Sequence, residues 1–133
     1  MRTIRRAALL AAAAALLAPS AAQAAPPRAA VTGLLGTYGF GRAQVIGEAG
    51  RAAGVWKSFS VRSGFTGDDL TATYRPRTSA SVTEKLVHTA AFNEVSDARA
   101  ECLTLGADGV ARKVWVSFRC QTGFAPSYTL FVR

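Results

Sequence analysis

The chain has 133 residues, with 16 Lys and Arg against 8 Asp and Glu, two cysteines and one histidine. Three such ligands are too few for a tetrahedral zinc centre of His and Cys. The basic balance favours acidic partners, yet after the leader described next Arg112-Lys113 is the only adjacent basic pair, which excludes a linear polybasic segment.

Residues 1–24 read as an export signal. Arg2, Arg5 and Arg6 form a charged start, Ala7 to Ala18 an apolar run, and Ala22-Gln23-Ala24 a small-x-small cleavage site. The run is too short to span a bilayer, which takes roughly 20 residues. Cleavage after Ala24 leaves 109 residues with 13 Lys and Arg against 8 Asp and Glu, a net charge of +5. The expectation is a secreted or periplasmic protein of one domain with a modest core. Residues 25–30, rich in Pro and Ala, are expected to be a flexible lead-in.

The rest of the chain repeats itself. Gly47, Gly50, Ala52, Val55, Trp56, Ser58, Phe59, Gly64 and Phe65 recur 59 residues later as Gly106, Gly109, Ala111, Val114, Trp115, Ser117, Phe118, Gly123 and Phe124. Nine identities in nineteen positions far exceed the roughly one or two that ordinary residue usage gives. The repeat units run over about 31–75 and 82–133, joined by Pro76 to Ser81. Such self-similarity fixes architecture before anything else does.

In chain order, Gly33, Gly36, Gly39 and Gly41 argue against a helix, and the stretch to Ile46 reads as bent strand with bulges. Gly47 to Gly54 reads as a loop. Val55 to Arg62 alternates, with Val55, Phe59 and Val61 on one face and Trp56, Ser58, Ser60 and Arg62 on the other. Leu70, Ala72 and Tyr74 point inward from the next strand, which ends at Pro76. Val82 to Phe92 favours strand. Residues 94–105 read either as strand or as a helix capped by Ser96 and stopped by Gly106. Val114, Val116, Phe118 and Cys120 point inward, and Tyr128, Leu130 and Val132 face the core in the last strand.

Export makes a Cys102–Cys120 disulfide the default. A tight hairpin closed by residues 105 and 110 would hold those cysteines roughly 23 Å apart, and a disulfide needs its Cα atoms within about 7 Å. Residue 102 therefore sits either beyond a wide loop or on a helix lying across the sheet. The fold expected is an all-β antiparallel sandwich or barrel of about eight short strands. The alternative is α+β, with one helix near 94–105 packed on an antiparallel sheet.

Trp56 with Ser58 and Arg62, and Trp115 with Ser117 and Arg119, form two outward aromatic faces flanked by hydrogen-bonding groups. These are the candidate ligand sites, suited to sugar rings or peptide. They point to a non-enzymatic secreted binding or cell-envelope module, whose partner is a cell-wall glycan or another anionic polymer rather than nucleic acid. No cofactor, metal site or catalytic set is read from the residues. A small hydrolase of nuclease type would need His88 with Glu84 or Asp69 and an arginine in one cleft. A protease inhibitor would present Gly106 to Lys113 as a rigid loop beside the disulfide.

Overall fold

The computed structural model describes residues 28–123 and 125–133. The expected leader, the first half of the lead-in (residues 25–27), and Phe124 lie outside these residues. The first unit contains β1 (Val31–Tyr38), α1 (Arg42–Ala52), β2 (Ser58–Ser63) and β3 (Asp68–Tyr74). The second contains β4 (Lys85–Ala91), α2 (Ala98–Ala111), β5 (Phe118–Thr122) and β6 (Ser127–Val132). Each unit forms a three-stranded antiparallel sheet with its last strand in the middle, in the orders β1-β3-β2 and β4-β6-β5. The architecture is α+β, with six strands and two helices, rather than an eight-stranded all-β sandwich.

The alternation in the sequence is realised where it was clearest. Central β3 buries Leu70, Ala72 and Tyr74, and central β6 buries Leu130 and Val132. Both first strands carry one register slip against their partner, between Leu34 and Gly36 and between Leu86 and His88. The skipped residues, Leu35 and Val87, are both buried in the core. A bulge re-aims a side chain, and here the two units use it at the same place.

Arg42 to Ala52, expected as strand end and loop, is instead helical. Glycine costs up to about 1 kcal/mol in a helix interior, so its presence in α1 needs a compensating contact. The aromatic rings provide it. A Cβ on Gly47 would lie 2.3 Å from the Phe59 ring, and one on Gly50 would lie 1.8 Å from the Trp56 indole. In the second unit, Cβ atoms on Gly106 and Gly109 would lie 2.1 Å from Phe118 and 2.0 Å from Trp115. Glycines three apart share a helix face, and the rings lie directly on that bare face. Helix α2 runs through Gly106 for the same reason. Asp97, not Ser96, caps it by accepting from the Ala100 amide at 2.9 Å.

Cys102 and Cys120 form a disulfide with Cα atoms 6.0 Å apart, tying α2 to β5. Of the two arrangements compatible with the bridge, the chain adopts the helix across the sheet. One unit earlier, Ala43 and Val61 hold the corresponding places. The apolar side chains of both units merge into a single core that contains Trp56 and Trp115. No helix among the described residues is long and apolar enough to cross a membrane.

Candidate functional site

The two tryptophans are not outward faces. Trp56 and Trp115 are 3% and 1% exposed. Their ring centroids lie 6.5 Å apart. Each indole N–H donates at 2.9 Å to a carbonyl of its own helix, that of Gly47 or Gly106. The expected alternation failed because the strand begins at Ser58, so its parity does not extend back to Trp56. The side chains grouped with them disperse. Ser58, Arg62 and Ser117 are exposed. Arg119 is held by Glu84 at 2.6 Å through two nitrogens and lies 4.3 Å over the Phe131 ring.

The only buried charge network lies elsewhere among the described residues. Glu101, near the start of α2, accepts from Arg42 Nε and Nη2 at 2.8 Å, and from His88 Nε2 at 2.8 Å. Burial alone would raise the Glu101 carboxyl. The Arg42 and His88 hydrogen bonds outweigh it and hold the group down at about 2. His88 is thus 4% exposed and committed to Glu101. Glu84 serves Arg119, and Asp69 accepts from Thr37 Oγ1 at 2.5 Å. The acid/base set that a hydrolase of the expected kind requires is not assembled. Gly106 to Ala111 is helix, so the expected inhibitor loop is not there either. Among the described residues no group of three or more His, Cys, Asp or Glu is placed to hold a metal ion.

What the fold assembles instead is a cluster of cations. The helices start together, because Arg42 of α1 reaches Glu101 of α2. They end together, because Val55 and Val114, each three residues past a helix, line one small pocket. Two helix C-termini, each equivalent to about half a negative charge, therefore face the same end of the molecule. A cleft of about 740 Å³ opens there, and Arg28, Arg51, Lys57, Arg75 and Arg77 line it with no carboxylate among them. None of these five cations makes a salt bridge among the described residues. Arg51 sits in the last turn of α1, where the helix dipole favours it. Lys57, Arg75 and Arg77 lie outside both helices, so the dipole does not account for them.

No family model, curated protein or solved structure matches the chain significantly.

Sequence reasoning missed this cluster because its members are scattered from residue 28 to residue 77. Topology gathers them: the end of α1, the residue before β2, and the segment after β3 meet at one rim. Arg77 is fixed there by its backbone, its N–H donating to the Lys113 carbonyl at 2.7 Å. Arginine forks bind phosphate and carboxylate oxygens in pairs. Chemically, such an arrangement can pair with phosphate or carboxylate oxygens.

Proposed function

We propose that the protein is an exported, non-enzymatic binding module that holds an anionic polymer of the cell envelope in this basic cleft. The observation that carries the reading is the cleft itself, whose five cations make no salt bridge among the described residues and which has no lining carboxylate. Its volume, about 740 Å³, and its five lining cations suit a chain of linked charges better than one small ion. A binding rather than catalytic reading is supported by the use of His88 and Glu101 as paired core groups, with Arg42 of the first unit reaching Glu101 of the second. The export signal read from the sequence of residues 1–24, together with the disulfide, supports an oxidising compartment outside the cytoplasm.

The test is an NMR titration of the oxidised, leader-free protein with inorganic polyphosphate and, separately, with a polyuronate. The expected result is saturable shifts confined to the backbone amides of Arg51, Lys57, Arg75 and Arg77 and their neighbours. The shifts should weaken steeply as salt is raised. An absence of binding at low salt, or shifts spread evenly over the surface, would overturn the reading.

A further inference from the structure

Beside the large cleft lies a second, smaller pocket of different chemistry. Its volume is about 70 Å³. Val55, Val114, Trp115 and Val132 form its floor, and three of these four are almost wholly buried. Val55 and Val114 are repeat-equivalent residues, so the pocket sits on the seam where the two units meet. Its rim is not symmetric. Arg77 and Ser81, from the joint between the units, Thr83, Lys85, at the start of β4, and Arg133 line the rest of it. No Asp or Glu side chain lines it, and none of the three cations makes a salt bridge among the described residues. The Arg133 carbonyl oxygen is turned to the Val116 and Ser117 amides, at 2.7 and 3.2 Å.

An apolar floor beside three cations is poorly matched to either water or a bare inorganic anion. Water would find partners only at the cations, Ser81 and Thr83 and none at the valines, and phosphate would leave the valines uncovered. The matching ligand carries both features: one anionic head and a short apolar tail. We propose that this pocket is a binding site for a short-chain aliphatic carboxylate. The tail would lie on Val55, Val114 and Val132, and the carboxylate would accept from Arg77 and Lys85. The volume sets the size. At about 70 Å³ the pocket is roughly a tenth of the neighbouring cleft, which suits a short tail and not a long acyl chain. Val55 and Arg77 border both this pocket and the larger cleft, but the proposal does not rest on polymer binding there.

The experiment is a titration of valine-methyl-labelled protein with acetate, propionate, butyrate and hexanoate, with butyramide and inorganic phosphate as controls at matched ionic strength. Saturable shifts of the Val55, Val114 and Val132 methyls are expected with butyrate and not with butyramide. Each added methylene should tighten binding about fourfold, up to butyrate, and hexanoate should gain nothing further. The double variant R77Q/K85Q changes only exposed side chains, and should weaken butyrate at least tenfold while leaving the rest of the spectrum unchanged. Equal response to butyramide would overturn the proposal, as would no chain-length dependence or no saturable methyl shift. Failure of polyphosphate to bind would leave this result intact, so the two readings fail separately.

Discussion

Trp56 and Trp115 stand one repeat apart in the sequence and face each other in the core with ring centroids 6.5 Å apart. Each is seated on the bare backbone of its own helix, above Gly50 or Gly109, and anchored by an indole hydrogen bond to Gly47 or Gly106. The repeat identities therefore record a packing device used twice. Substituting Gly50→Ala or Gly109→Ala should destabilise the fold by about 3 kcal/mol, the upper range for overpacking a tight core. Alanine is the better helix former, so a purely local view expects the opposite sign. Urea unfolding of G109A decides between them, and G109A/W115L should recover part of the loss.

The Arg42–Glu101–His88 network makes stability depend on acid. The Glu101 carboxyl is held at about 2 in the folded chain, against about 4.3 when unfolded. A group depressed by folding stabilises fully above its unfolded value, and that contribution disappears as pH falls through the folded one. The stability held by Glu101, about 3 kcal/mol, should therefore be lost between about pH 4 and pH 2. Urea midpoints measured at pH 7, 4 and 2 should fall in that window. In Glu101→Gln the pH 7 stability should drop by about 3 kcal/mol, since Arg42, largely but not fully buried, loses its charged partner, and the acid step should shrink.

The disulfide closes a segment with a sequence separation of 18. Loop-closure entropy gives about 3 kcal/mol for a loop of that length. The first unit shows what replaces it, since Ala43 and Val61 fill the same places without sulfur. The double variant C102A/C120V should fold, and melt roughly 10–20 °C lower by calorimetry. Reduction of the wild type should lower the melting temperature comparably.

Lys113 has φ 62°, the left-handed region, where the first unit has Gly54 at φ 71°. A non-glycine residue there costs about 1 kcal/mol. Lys113→Gly should raise stability by about that amount in urea. That the second unit keeps a lysine at a glycine position accords with a demand for positive charge at this end of the molecule.

Much of this could be read from the residues alone. Period-two alternation located the inward residues of β3 and β6, and the impossibility of bridging a tight hairpin placed Cys102 on a helix as one of two choices. What failed was α1. Gly47 and Gly50 lower helix propensity, and nothing local reveals that an indole and a phenyl ring will cover them. The signal was nevertheless present in the spacing of three shared by Gly47/Gly50 and Gly106/Gly109. Any helix reading in one unit applies to the other at the same offset. The tryptophan faces failed for a related reason, since extending the strand by two residues reversed where Trp56 points. The basic cleft had no linear signature, because its cations meet only through the β-α-β-β crossover and the joint after β3.

The most direct test of the account is to remove two charges from the cleft and two from elsewhere, then compare polyphosphate binding. R51Q/R75Q removes two cleft cations, whereas R62Q/R99Q removes two exposed cations that do not line the cleft. Each lost contact should cost about 1 kcal/mol, so the first variant should bind about tenfold or more weakly and the second within about twofold of wild type. Equal weakening in both variants would show that only overall charge matters, and would contradict a binding site in the cleft.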